Sequence, residues 1–218
     1  MNKEKKEMKV QDGFYVTVAG KKKRFEVVKR KMKGEEVNKG LLYITVDFKN
    51  GKQPHLFRFD VWDVDMIEKL SNIDDGCLIR VTSKPHNYDY EHDGKKIYSF
   101  DLTLERFAPY SGKEYTEFAL AGRLVKDITL VTGIGKPCMG LRVACNNGSK
   151  PTYCNIQHYG YSLNLAEFGK KGEPISLEGY VHRSNNDGTL TFFATKVWSN
   201  NPNAPFVKEL EEETRETK

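Results

Sequence analysis

The 218 residues leave room for one large domain or two small ones. Hydrophobic residues make up 38% and charged residues 30%, polar for a folded chain but well above a disordered composition. No apolar run approaches the roughly 18 residues of a membrane span, and the opening MNKEKKEMKVQDG has no apolar secretion core, so a soluble chain without a membrane partner is expected. The formal charge of +5 is uneven: residues 1–40 hold 13 Lys and Arg against 6 Asp and Glu, while the remainder holds 22 against 24. A basic front on a near-neutral body fits either a polyanionic partner or a solvated tail. The 12 Phe, 11 Tyr and 2 Trp can anchor a core and still leave aromatic rings for a surface.

After a basic tail over 1–12, runs of β-branched and aromatic residues predict strands at Thr17–Phe25, Leu41–Phe48 and Leu56–Trp62. DVDMIEKLSN (63–72) then reads as a short helix, with Met66, Ile67 and Leu70 on one face and Asp63 or Asp65 as the cap. Strands at Leu78–Thr82 and Ile97–Phe107 complete the first half, joined by a turn at Asp93-Gly94. The second half repeats the order: strands at Phe118–Leu124, Leu141–Cys145 and Tyr153–Tyr159, a helix in SLNLAEFGKKG (162–172), then strands at Ile175–His182 and Leu190–Trp198 around Asp187-Gly188.

At a shift of 97, Ile44, Val46 and Phe48 fall on Leu141, Val143 and Cys145, and Trp62 falls on Tyr159. Ala19-Gly20 matches Ala121-Gly122 at a slightly larger shift. This reads as a tandem duplication with its boundary in 108–117. A unit of about 95 residues ordered β-β-β-α-β-β is the signature of the OB-fold; another small barrel or an open α+β sheet is the alternative. The expected fold is therefore all-β, two tandem five-stranded OB-fold barrels (13–110 and 115–200). Each has one short helix between its third and fourth strands, and an acidic tail follows at 201–218.

The third strand of each half points to function. Alternation puts Tyr153, Asn155, Gln157 and Tyr159 on one face, opposite Cys154, Ile156 and His158. In the first half Leu56, Arg58, Asp60 and Trp62 share the face opposite Phe57, Phe59 and Val61. Aromatic rings among polar and basic groups on a sheet face suit single-stranded nucleic acid, because bases stack on rings while Lys and Arg follow the phosphates. Packing of Trp62 or Tyr159 beneath a loop is the competing reading. Arg142 and Asn146 point opposite Leu141, Val143 and Cys145, and Arg123 and Lys126 lie at the end of the sixth strand. Lys21, Lys22, Lys23 and Arg24 occupy the equivalent place in the first half, as a phosphate grip or a solvated loop. The hairpin HNYDYEHDGKK (86–96) adds Tyr88, Tyr90, Lys95 and Lys96, and Arg183 completes the candidate set.

The stretches EFALAGRLVKDITL (117–130), GLRVACNNG (140–148), YCNIQHYGYSLNLAEFGKKGEPISLEGYV (153–181) and TLTFFATKVW (189–198) resemble the bacterial single-stranded DNA-binding protein family. Phe118, Leu120, Gly122, Arg123, Leu124 and Asp127 fit its first segment, and Lys171-Gly172 and Gly179 its later ones. Tyr153, Tyr159 and Gly160 fit the third, where members carry base-stacking aromatics. The resemblance covers 117–198 and implies non-catalytic binding of single-stranded DNA in replication, recombination or repair, with proteins of those processes as further partners. It places the chain in the cytoplasm of a bacterial or phage-infected cell, near the nucleoid. Members usually carry one such domain and form tetramers, so two copies imply a monomer or homodimer. The ending PFVKELEEETRETK is acidic but lacks the terminal Phe through which members recruit partners.

Other classes find little support. TGIGKP (132–137) has Leu130 where a phosphate loop needs Gly and Pro137 where it needs Ser or Thr. The five His form no metalloprotease pattern, and no nucleophile turn is recognisable, so no catalytic residue and no cofactor is expected. Cys138, Cys145, Cys154 and His158 lack the close cysteine pair of usual zinc sites, so reduced, buried thiols are expected and no metal. Single-stranded RNA binding and a protein scaffold of a replication complex remain alternatives.

Overall fold

A computed structural model describes residues 13–48, 53–92, 95–131, 138–146, 150–159 and 169–199, with the side chains of 89–98 and 131 excepted. The tails at 1–12 and 201–218 and most of the expected second helix (160–168) lie outside the described residues.

Eleven strands and one helix are described: β1 (Gly13–Met32), β2 (Glu35–Val46), β3 (His55–Val61), α1 (Val64–Ser71), β4 (Leu78–His92), β5 (Lys95–Pro109), β6 (Tyr115–Leu124), β7 (Thr129–Val131), β8 (Cys138–Asn146), β9 (Pro151–His158), β10 (Pro174–Arg183) and β11 (Leu190–Ser199). They pair in the order β2-β3-β5-β4-β1-β6-β10-β11-β9-β8-β7, and β1 also pairs with β2 and β6 with β8. Each half thus closes a ring of five paired strands, and the short β7 adds a hairpin to β8. Residues 110–114 join β5 to β6.

The expected alternation is visible along β9, where Tyr153, Asn155, Gln157 and Tyr159 are exposed and Cys154, Ile156 and His158 are buried. Phe57, Phe59 and Val61 are likewise fully buried. Cys138, Cys145 and Cys154 are buried thiols. In α1, Asp63 caps the first turn by accepting from the Met66 amide at 2.8 Å, and Ile67 and Leu70 turn inward. Two expected positions differ. Phe48 is exposed, because β2 ends at Val46 and the alternation stops there; its ring rests 5.1 Å from His55. Asp60 is buried, held by Lys39 at 2.5 Å.

The repeat shows in shared devices. A Cβ on Gly20 would lie 2.3 Å from the Thr45 carbonyl oxygen, and one on Gly122 would lie 2.3 Å from that of Ala144. Only glycine lets the first strand of each half approach the second so closely. These contacts equate Ile44 with Val143, two residues from the sequence alignment, and the two-residue period keeps the same face inward. Two residues on, Lys22 N–H donates to Cys77 O (2.9 Å) and Gly76 N–H to Lys22 O (2.7 Å). Leu124 N–H donates to Glu173 O (2.9 Å) and Gly172 N–H to Leu124 O (2.8 Å) in the same way.

The halves are built into one another. Residues Gly13–Ala19 of β1 run antiparallel to Tyr115–Ala121 of β6, so one ladder joins the two rings. Behind it Phe14 sits 5.2 Å from Phe192, 6.1 Å from Phe100 and 6.4 Å from Phe118, a cluster with two rings from each half. His55 Nδ1 of the first half bonds to Arg183 O of the second at 2.5 Å. One core therefore runs through both rings.

Candidate nucleic-acid interface

Where the β4–β5 hairpin of the first half leans over β9, Asn87 acts as a clamp. Its Nδ2 donates to Tyr153 O at 2.9 Å, while Tyr153 N–H donates to Asn87 Oδ1, so one amide satisfies both backbone groups of an exposed strand residue. Below this clamp opens a groove of about 920 Å³ lined by Tyr88, Arg142, Lys150, Tyr153, Asn155 and Tyr159, with Cys138, Phe100 and Leu190 at its apolar floor. Arg142 reaches over the Tyr153 ring at 5.8 Å, and the Tyr159 hydroxyl donates to Gln157 Oε1 at 3.1 Å. Beyond Tyr159, Phe193 lies 6.1 Å away in a stacked arrangement, and Tyr180 stacks on Phe193 at 5.1 Å. Sequence reasoning missed Asn87, Tyr180 and Phe193. The doublet Phe192-Phe193 held the signal, since consecutive strand residues face opposite ways and one ring must point outward.

The structure brings Tyr88, Arg142, Tyr153, Asn155 and Tyr159 together in this groove. Arg58 and Arg183 line a smaller pocket beside it, which Tyr88 also borders. Arg58 donates from Nη2 to Asp101 at 3.0 Å, and its Nε stands 4.0 Å from the buried Asp60. Burial, and then the neighbouring Asp60 carboxylate, push the Asp101 pKa up. Trp62 lies apart from these linings, exposed just after β3, with Lys39 Nζ 4.9 Å over its ring. Tyr90, Lys95 and Lys96 belong to the β4–β5 hairpin, but their side chains fall outside the described residues.

Arg123 and Lys126 are exposed but lie away from the groove. Arg123 Nη1 donates to Gly172 O at 3.2 Å, and Asp127 accepts from Lys171 N–H at 2.8 Å, a bond that lowers the Asp127 pKa. These bonds stitch the end of β6 and the turn after it to the loop before β10. Of the basic run in β1, Lys22 is buried, donating to Ile73 O at 2.5 Å and pairing with Asp75 at 2.9 Å. It is a structural lysine, neither the phosphate grip nor the solvated loop residue that the run of four left open. Arg24 packs over Tyr43 at 4.1 Å and pairs with Glu26.

The described residues are mostly strand, and their groove presents aromatic rings between basic and amide groups. No family model matches its sequence, and no curated protein matches it. Its fold is shared with the single-stranded DNA binding protein from Thermus aquaticus, with a TM-score of 0.66 at 16% identity over 87% of this chain and 94% of that one. A deletion mutant of that protein gives 0.65 at 17% identity, covering 87% and 95%. The mitochondrial single-stranded DNA binding protein from S. cerevisiae matches 45% of this chain and 95% of its own, at 17% identity and a TM-score of 0.38.

Proposed function

We propose that this chain binds single-stranded DNA without catalysis, as two tandem OB-fold barrels spanning 13–110 and 115–200. The observation that carries the reading is the groove, in which Tyr88 of the first half faces Tyr153 and Tyr159 of the second beside Arg142 and Asn155. Exposed rings offer each base a stacking face worth roughly 1–3 kcal/mol, and the guanidinium meets the phosphate between them. Rings exposed on the groove stack on unpaired bases, whose faces a duplex keeps covered. The shared fold with the Thermus aquaticus protein, itself described as a single-stranded DNA binding protein, supports the same reading.

In this reading Tyr88, Tyr153 and Tyr159 stack bases, Asn155 hydrogen-bonds a base edge, and Arg58, Arg142 and Arg183 hold phosphates. Trp62 provides a stacking face on the first half, and Arg123, Lys126, Tyr90, Lys95 and Lys96 extend the contact along the surface. The role is to cover single strands exposed in replication, recombination or repair, inside a bacterial or phage-infected cell, as a monomer or homodimer. A fluorescence titration with oligo-dT, oligo-U and duplex DNA tests it. Quenching of tryptophan emission and tight binding by oligo-dT, with duplex much weaker, is the expected result. A preference for oligo-U moves the substrate to RNA, and no binding to any of the three refutes the reading.

A further inference from the structure

Beside the groove is a pocket of about 220 Å³ whose walls come from both halves of the chain: Tyr43, Leu56 and Arg58 from the first, Arg183 and Leu190 from the second, with Tyr88 shared between pocket and groove. Two guanidinium groups therefore face one small space. Arg183 is half-buried at the end of β10, and the turn that follows is shaped around it. Gly188 has φ +74°, and a Cβ there would lie 2.6 Å from Arg183 Nη2, so the glycine both forms the turn and leaves room for the guanidinium. His55 Nδ1 bonds the Arg183 carbonyl, and Asn185 Nδ2 reaches Gln53 O and Pro54 O at 3.4 Å, which fixes this turn against the first half.

The two guanidinium groups share this pocket with the Asp187 carboxylate. Burial and the neighbouring Arg58 both pull the Arg183 pKa down, as expected where like charges face each other. Asp187, which lines the pocket and also accepts from Thr189 N–H at 3.0 Å, pulls the Arg183 pKa partly back up, and Asp101 pairs with Arg58. Two planar donor forks converging on one space match the oxygens of a phosphodiester, which would relieve their repulsion.

We infer that the Arg58–Arg183 pocket holds a backbone phosphate of a single strand where the strand passes from one half of the chain to the other, so that both halves grip one continuous strand. The inference rests on the single-strand reading above. Tyr88, at the border, stacks the base next to that phosphate. Linking the halves through one strand makes binding by the second half effectively intramolecular.

The test is a double-mutant cycle on the full chain, using labelled oligo-dT of about 35 nucleotides, long enough for two barrels at roughly 4–16 nucleotides each. Arg58→Gln and Arg183→Gln should each weaken binding about tenfold or more, and the double variant should lose far less than the product of the two. The slope of log affinity against log salt should become shallower by about 0.7 in each single variant and change little further in the double. Arg183→Lys, which keeps the charge without the fork, should retain the slope while losing affinity; it also serves if the Gln variant does not fold. Additive losses, or unchanged affinity in folded variants that still bind oligo-dT, overturn the inference and leave the single-strand reading standing. A wild-type chain that binds no oligo-dT overturns both.

Discussion

Replacing Phe14 by Ala tests whether the two halves are one cooperative body. Phe14 is fully buried and contacts Phe100, Phe118 and Phe192 at 6.1, 6.4 and 5.2 Å, so its ring joins the cores of both halves behind the β1–β6 ladder. Truncating a buried Phe costs about 3–5 kcal/mol in lost transfer energy and cavity. Each edge-on ring pair adds roughly 0.5–1.5 kcal/mol beyond area, which puts this site at the upper end, about 4–5 kcal/mol. At roughly 2–4 °C per kcal/mol for a chain of this size, the melting temperature should fall by about 8–20 °C. Calorimetry, with far- and near-ultraviolet circular dichroism as a second probe, should give one transition for the wild type and a lower one for Phe14→Ala. Two separate wild-type transitions, or a shift below about 3 °C, would refute the claim that the halves share a core.

Three further substitutions probe the groove and the Arg58 pocket beside it. Asn87→Ala removes both bonds that hold the β4–β5 hairpin on Tyr153; at about 0.5–1.5 kcal/mol per bond, reduced because the site is exposed, stability should drop by about 1 kcal/mol in urea unfolding. Oligo-dT affinity should fall with it as the groove wall loosens. Tyr153→Ala should weaken oligo-dT binding by about 1–3 kcal/mol while stability stays within about 0.5 kcal/mol of wild type, because the ring is exposed. Asp101→Asn removes the carboxylate that occupies Arg58 and should strengthen oligo-dT binding, measured by anisotropy. Because burial and Asp60 raise the Asp101 pKa, its proton binds at a higher pH than on an ordinary aspartate. Wild-type affinity should therefore rise as pH falls through that raised value, and the Asn variant should lose this rise; an identical pH profile in both proteins would contradict the role given to Asp101.

Much of the fold was legible because it rests on local pattern. The alternation of Phe57, Phe59 and Val61, and of Cys154, Ile156 and His158, fixes which face of the third strand turns inward in each half. Asp63 three residues before Met66 marks the start of α1. The strands proved longer than the pattern at the β1–β2 arm, where exposed residues such as Lys29, Arg30 and Lys31 pair across the ladder without any apolar rhythm to announce them. β7, only three residues long, was not visible at all. The ladder between β1 and β6 joins residues about a hundred apart, and no local period records such a pairing.

The candidate site divides along the same line. Tyr153, Asn155 and Tyr159 could be read from one strand, since their spacing alone puts them on a common face. That Tyr88 would close the groove over them depends on Asn87 meeting a backbone from the other half, and that Arg58 would share a pocket with Arg183 depends on the docking of two rings. Lys22 shows the opposite error. In a run of four basic residues it looks like its neighbours, yet its strand position points it beneath the loop at Ile73 and Asp75.

Binding of single-stranded DNA in this groove is tested most directly by the anisotropy of labelled oligo-dT titrated with the full chain over a range of salt, with duplex DNA as competitor. Tight binding at low salt is expected, with affinity falling log-linearly as salt rises, by about 0.7 in slope for each phosphate held, and little displacement by duplex. No binding at low salt, or equal displacement by duplex, would contradict it.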